Sequence, residues 1–359
     1  MLEVDTMKWT TKLLLLNVVI LFTVILGGCG KDEPTGKIIT DMSGVTVEIP
    51  EEINNVICTS QNAMEFMVAM GLEDKIIGIH KSVFGHTWSK EYMKNLDDIG
   101  GYGYSPAAEA VYEAGADLVI VRDAAAAEEL RNAGITAITF QYGNKEEMFE
   151  AIRMLGVIFG EESANYAEKW IAYYEETCEF IEEKVSSLSD GERLTAYFID
   201  ASGALDENGL TTTVGGDHIV AEWFDTIGVN LVTKEYGGIS SISEERILEI
   251  NPETIVIGGW CENARKEQLF ADAKWTDVSA VKNDRIFLTP VGFVSFERYA
   301  VEAPILLRYS FSMFYPELYD YDTITEFQSF FLEYFGIEVS EEKINYILQG
   351  YSPDGTRMD

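Results

Sequence analysis

The sequence predicts an α/β protein: two similarly constructed lobes joined by one long helix, with a helical extension at the C-terminal end. Three observations lead there. Strand-like apolar runs alternate with helical stretches in two successive series, which is the order of parallel α/β units. The second series repeats the spacing of the first, and a long stretch without glycine or proline separates them. A chain of 359 residues has room for about two cores. With 47% apolar and 12% aromatic residues it has the composition of a globular protein.

Taken in order, Lys8 and Lys12 precede the apolar run Leu13–Leu26, broken only by Asn17 and Thr23, which ends at Gly27-Gly28-Cys29. Charged, apolar and small residues in that order make a secretory signal. The run is shorter than the ~20 residues of a bilayer span, although an uncleaved membrane anchor is the competing reading. Met7 is an alternative start, because MKW opens a more ordinary signal than MLEVD. Leu26-Gly27-Gly28-Cys29 resembles the bacterial lipobox, which implies cleavage before Cys29 and lipid on its sulfur. This gives a signal over 1–29 and a polar tether over 30–36. Stable anchoring then follows from two or more acyl chains.

An N-terminal α/β lobe is expected over 37–160, with strands at Val56–Thr59, Ile76–His80, Leu118–Arg122 and Ile135–Phe140. Helices are expected at Ala63–Met70, Ala107–Ala114 and Glu146–Phe159. The interlobe helix occupies 161–189. Its apolar positions Tyr166, Trp170, Tyr173, Tyr174, Ile181, Val185 and Leu188 fall mostly at three- and four-residue spacing. A helix of about 27 residues is ~40 Å long, enough to cross between lobes. The C-terminal lobe, 190–315, resumes the pattern at Leu194–Asp200, His218–Ile227, Glu244–Ile250, Thr254–Ile257 and Arg285–Leu288. Residues 316–359 read as an aromatic-rich helical extension packed on a lobe.

The halves also align with each other. SPAAEAVYEAGADLVIV (105–121) lies over SISEERILEINPETIVI (241–257) without a gap. Ser105 meets Ser241, Glu109 meets Glu245, and Gly101 falls opposite Gly237. Each copy reads as a cap, a short helix, a turn and a buried strand. Two lobes on one plan suggest a ligand held between them.

Several stretches, VICTSQNAMEFMVAMGLEDKIIGIH (56–80), IGGYGYSPAAEAVYEAGADLVIV (99–121), VGGDHIVAEWFDTIGVNLV (214–232), ISSISEERILEINPETIVIGG (239–259) and AVKNDRIFLTP (280–290), together resemble the Fe/B12 periplasmic-binding family. The family comprises the substrate-binding proteins of ABC importers for siderophores, heme and cobalamin. The resemblance covers roughly 37–315. It departs from the usual Pro-Asp before a strand, with Ala116-Asp117 in one lobe and Pro252-Glu253 in the other. It implies two Rossmann-like lobes joined by a rigid backbone helix, the class III periplasmic-binding-protein architecture. It also implies a monomeric carrier, lipid-anchored outside the cell, that delivers a metal chelate to an ABC permease dimer and its ATPase. In this family one glutamate per lobe meets arginines of the permease, and the matching positions are Glu109 and Glu245. Taken alone, each is a first-turn carboxylate favoured by the helix dipole.

Ligands of open α/β lobes sit beyond the carboxyl ends of the strands. That rule selects Ser60, Gln61, His80, Arg122 and Tyr142 in the first lobe. In the second it selects Ser202, Gly259, Trp260 and the loop Val291–Tyr299. Trp88, Tyr102, Tyr104, Trp260, Phe293 and Phe296 are candidate flat walls for a chelate or macrocycle, against core packing as the ordinary use of an aromatic. Arg122 and Arg298 are candidate partners for carboxylate, catecholate or hydroxamate oxygens; Arg298 has Glu297 and Glu302 as alternative partners. His80 and His86 are metal-ligand candidates without helical i, i+4 spacing, and His218 is expected to cap or pack.

Composition excludes several functions. Against 61 Asp and Glu stand 26 Lys and Arg, a net charge of −35 that repels nucleic acid. The four cysteines, Cys29, Cys58, Cys178 and Cys261, form no CxxC pair or zinc spacing. Cys58 and Cys261 are expected as small buried hydrophobes. No GxSxG, HExxH or complete GxGxxG occurs, so no enzyme and no cofactor of its own are expected. An extracytoplasmic enzyme and a sensor module on the same fold are the competing functions. Among ligands a ferric siderophore ranks first, then cobalamin or another corrinoid, heme, and a simple metal such as nickel.

Overall fold

The computed structural model describes residues 36–189, 191–201, 209–259 and 262–358. The expectations for the signal, Cys29, the tether residues before Gly36, Ser202, Trp260 and Cys261 lie outside the described residues.

The chain enters through an antiparallel hairpin, β1 (Lys37–Thr40) and β2 (Thr46–Ile49), which the sequence reading did not separate from the lobe. The first lobe follows as β3 (Val56–Cys58), α1 (Gln61–Ala69), β4 (Ile76–His80), α2 (Ser89–Tyr92), β5 (Gly100–Tyr102) and α3 (Ala108–Ala114). β6 (Leu118–Val121), α4 (Ala124–Asn132), β7 (Ala137–Thr139) and α5 (Lys145–Phe159) complete it. Its five strands are parallel, in the order β5-β4-β3-β6-β7. β5, which is not among the strands expected from the sequence, forms because Gly78 and Gly100 leave room for the Tyr102 ring; a Cβ on them would lie 2.3 and 2.9 Å from it.

The long helix α6 (Glu161–Val185) runs for 25 residues. It turns out of α5 at Gly160, whose φ of +103° favours glycine. Gly156 lets the two helices cross closely, since a Cβ there would sit 2.8 Å from the Ala164 Cα. α6 buries Ala167, Trp170, Ile171, Tyr174, Ile181 and Val185, one stripe at helical spacing. Trp170 Nε1 donates to the Val301 carbonyl at 2.9 Å. At the far end Val185 packs against Gly228 of the second lobe.

That lobe contains β8 (Thr195–Ala201), β9 (Thr212–Val214), α7 (Ile219–Thr226), β10 (Asn230–Leu231), β11 (Ile239–Ser241) and α8 (Glu244–Ile250). β12 (Thr254–Gly259), α9 (Glu262–Ala271), α10 (Ser279–Lys282) and β13 (Ile286–Leu288) follow. Four parallel strands run in the order β10-β8-β12-β13, while β9 and β11 form a separate antiparallel ribbon. The largest apolar core is continuous, running from the first sheet through α6 to Phe198, Trp223 and Val256 of the second.

The extension packs on more than one lobe, a correction to the sequence reading. α11 (Ala303–Phe314), which precedes the extension, lies along α6, and within the extension α12 (Thr323–Phe335) reaches α1. Around α13 (Glu341–Gln349) the chain holds both halves. Tyr351 O accepts Trp88 Nε1 at 2.8 Å and Lys343 pairs with Glu91, both in the first lobe. In the second, Asn263 Nδ2 donates to the Gln349 carbonyl at 2.8 Å, and Arg357 pairs with Glu267.

Candidate functional site

Both parallel sheets reverse their winding direction at one point, between β3 and β6 in the first and between β8 and β12 in the second. A crevice opens beyond the carboxyl ends of strands at such a point. A cavity of about 150 Å³ lies there, between the lobes. Ser60 and Gln61 after β3, Arg122 after β6 and Tyr142 after β7 line it from one side. Phe198 and Asp200 of β8, and His218 before α7, line it from the other.

Its floor is made by hydrogen bonds between the lobes. Asn62 Nδ2 donates to the Arg298 carbonyl at 3.0 Å and to Tyr142 Oη at 2.6 Å. Tyr142 Oη donates to the Tyr299 carbonyl at 2.8 Å. Tyr299 is left-handed, with φ +61° and ψ +53°, a conformation unfavourable for a bulky residue. The Tyr142 bond and the 2.9 Å contact of its hydroxyl with Tyr174 Oη hold it there. The turn thereby fixes the position of Arg298.

Arg122 and Arg298 both line the cavity, and among the described residues neither guanidinium has a hydrogen-bond or ion-pair partner. The expectation that Glu297 or Glu302 would satisfy Arg298 is not met. Glu297 is buried, accepts from Thr289 Oγ1 at 2.9 Å and from Ser295 Oγ, and burial holds its pKa up despite the nearby Arg298. Tyr104, half exposed, stacks on His80 with ring centres 3.7 Å apart. His80 stands behind that ring; its Nδ1 accepts from Ser82 N at 3.3 Å.

Burial lowers the pKa of all three histidines. Lys81 adds to the effect at His80, and Arg298 with His80 takes His86 to about 4. At His218 burial outweighs the opposing Asp200, and Nδ1 caps α7 by accepting from Val220 N at 3.2 Å. Among the described residues no group of three or more His, Cys, Asp or Glu is placed to hold a metal ion. Cys58 is buried, and its thiol donates to the Ser60 carbonyl at 3.3 Å.

Four expected aromatic walls lie elsewhere. Trp88 is inside the protein, covered by the C-terminal extension. Phe293 stacks on Tyr92 at 4.9 Å and Phe296 on Phe327 at 6.1 Å, both fully enclosed. Tyr102 lies over Gly78 and Gly100. The cause is common to three of them: elements distant in sequence cover rings that adjacency to a strand end alone would leave exposed. Asn62, Phe198 and Asp200 were missed, whereas Glu297 falls in the expected loop Val291–Tyr299. Asn62 had a signal, since it follows Gln61 in the first turn of α1.

Glu109 and Glu245 stand exposed in the first turns of α3 and α8. No helix among the described residues is long and apolar enough to cross a membrane.

Known proteins agree with this arrangement. The pattern of the family described as Periplasmic binding protein matches residues 56–291. An uncharacterized ABC transporter substrate-binding lipoprotein of Bacillus subtilis, YvrC, is 25% identical over 75% of this chain and 86% of its own. The iron(3+)-hydroxamate-binding protein FhuD of the same organism is 21% identical over 76% of this chain and 89% of its own. The molybdate-bound structure of MolA from Haemophilus influenzae superposes with a TM-score of 0.72 at 17% identity, covering 85% of this chain and 99% of that one. Two doubly wound lobes around one cleft, and a family match over most of the chain, lead to one conclusion: the protein belongs to the periplasmic binding protein family, the solute-binding proteins of ABC transporters.

Proposed function

We propose that this protein captures an anionic metal chelate outside the cell and delivers it to an ABC permease dimer and its ATPase, working as a monomer held to the membrane by lipid on Cys29. The observation that carries the reading is the pair Arg122 and Arg298, two guanidinium groups on one interlobe cavity without ion-pair partners among the described residues. A guanidinium with no carboxylate paired to it calls for an anion, and two, the exposed Arg122 and the half-buried Arg298, can take the oxygens of one ligand. Ser60, Gln61 and Asn62 add neutral hydrogen-bonding groups, and Tyr104 an exposed aromatic face.

A ferric siderophore is the first choice of ligand, supported by the hydroxamate-binding relative. The cavity of about 150 Å³ is smaller than the ~300–1,000 Å³ of sites for larger organic ligands. A siderophore therefore requires the lobes to part. The same volume favours a second reading, a compact oxyanion, and the molybdate-bound neighbour supports it. Calorimetric titration with a ferric trihydroxamate and, separately, with molybdate decides between them. Tight binding of the trihydroxamate upholds the first; binding of molybdate alone replaces it with the second. Binding of neither, with capture of a neutral or cationic solute instead, removes both.

Glu109 and Glu245 are proposed as the permease contacts. Both are exposed, occupy equivalent helical turns and point charge outward from separate lobes, so two carboxylates can engage a two-subunit partner in one register.

A further inference from the structure

One helical turn below the cavity floor lies an acidic pair that solute binding does not use. On α1, Asn62 reaches the Arg298 carbonyl, and Glu65, three residues on, occupies the same helix face deeper in the protein. Opposite it, the chain that carries Arg298 and Tyr299 continues to Glu302 at the start of α11. Glu65 is 0% exposed and Glu302 1%. Among the described residues, none of their four carboxylate oxygens accepts a hydrogen bond from a residue outside the pair. The two carboxyl groups lie within hydrogen-bonding reach of each other.

Among the described residues, the groups around them supply no compensating charge. Tyr92 from α2, Tyr142 beyond β7 and Tyr166 from α6 are the titratable side chains that face the pair, and Glu91 acts on Tyr92. All are neutral phenols or acids. The Tyr92 hydroxyl is close by: a Cβ on Gly292 would lie 2.9 Å from it and 3.5 Å from Glu302 Oε1. Two ionised carboxylates in contact, out of water and without a cation, are prohibitively unfavourable, so the pair must keep a proton. A carboxyl donating to a carboxylate is among the stronger hydrogen bonds available to a protein.

We propose that Glu65 and Glu302 share a proton and so form a latch that fastens α1 of the first lobe to the chain segment positioning Arg298, making the lobe junction sensitive to pH. Burial is the main cause of the raised pKa of both groups, which takes Glu302 to about 7 and Glu65 well above its usual range. The pair titrates as a unit. Protonated, it holds the junction; stripped of its last proton in alkaline solution, it becomes two like charges that push α1 and the Arg298 segment apart. The latch concerns the unliganded protein and does not depend on which solute the cleft accepts.

The test needs no ligand. Small-angle scattering of the wild-type protein is compared at about pH 6 and about pH 9, alongside Glu65→Gln and Glu302→Gln, whose amides replace the shared proton with a permanent donor. Expansion at the higher pH in the wild type, absent from a folded single variant, is the expected result. Identical scattering of the wild type at both values overturns the latch, as does the same expansion in the variants. Should neither variant fold, infrared spectroscopy of the wild type remains. A carboxylic-acid carbonyl band that is present in neutral buffer and lost only in alkaline buffer supports the shared proton. Its absence at neutral pH rejects it.

Discussion

The two lobes repeat one unit and differ at their edges. In the first, α3 and β6 follow each other as α8 and β12 do in the second, with helices of seven residues each. Val111 and Ile247 are the fully buried anchors of those helices, and Glu109 and Glu245 face solvent two residues earlier. At the edge the likeness ends. β5 joins the first parallel sheet, whereas β11, which follows the equivalent glycine, pairs antiparallel with β9. The difference is one of obstacles. Gly78 and Gly100 make room for a side chain, the Tyr102 ring, so a fifth strand can be added. Gly215 makes room for backbone, with its Cα against the Tyr236 carbonyl, so the chain crosses over the sheet instead. A duplicated helix–strand unit therefore keeps its surface charge in register while the edges diverge to shape the cleft.

Four experiments test what the lobes share and where they differ. The largest effect is expected from reversing charge at both equivalent positions, Glu109→Arg with Glu245→Arg. Transport in cells should be abolished with solute affinity unchanged, each single variant falling between. Loss of affinity with transport retained would remove the docking assignment.

Next come the edge glycines. A Cβ at position 215 would sit 1.8 Å from the Tyr236 carbonyl oxygen, so Gly215→Ala should cost more than ~3 kcal/mol in urea unfolding. Gly78→Ala meets the movable Tyr102 ring and should cost about 1–3 kcal/mol. Equal costs would mean that the two edges do not differ as described.

The cleft arginines follow. Arg122→Gln and Arg298→Gln should each weaken solute binding by about 1.5–3 kcal/mol, roughly tenfold to a hundredfold, the value of a charge-assisted hydrogen bond. Arg298, held by the Tyr299 turn, should lose more than Arg122, which lies exposed. Unchanged affinity in both variants would exclude an anionic ligand.

The fourth effect is read against pH. Glu65 and Glu302 have raised pKa values in the native state, so the native chain keeps protons that the unfolded chain releases above about 4.5. Stability should therefore fall as pH rises from there through about 7, where Glu302 titrates. The slope is about 1.4 kcal/mol per pH unit for each retained proton. Glu302→Gln should flatten it; a slope unaltered by the substitution would place its origin elsewhere.

Much of the fold was legible in residue order. Ile76–His80 and Glu244–Ile250 occupy the expected bounds, because each is a dense local pattern between turn signals. α6 was legible from period alone. α4 was not, since its buried face is made of Ala126, Ala127 and Leu130, and alanine leaves a faint apolar stripe. In the cleft the residues adjoining strand ends were found: Ser60, Gln61, Tyr104, Arg122, Tyr142 and Arg298 line one cavity. Phe198 and Asp200 were overlooked because they lie within a strand, near its end, and not after it.

What the sequence determined by itself was local and periodic: where helices and strands form, that two units share one plan, and which charges recur on equivalent turns. These follow from backbone sterics and side-chain spacing, which act over a few residues. Tertiary structure decided which rings are covered and which charges are left alone. Trp88 meets Tyr351 and Glu65 meets Glu302 across more than two hundred residues of chain, and Phe296 meets Phe327 of the C-terminal extension. Burial depends on what arrives from elsewhere, and only packing brings it there.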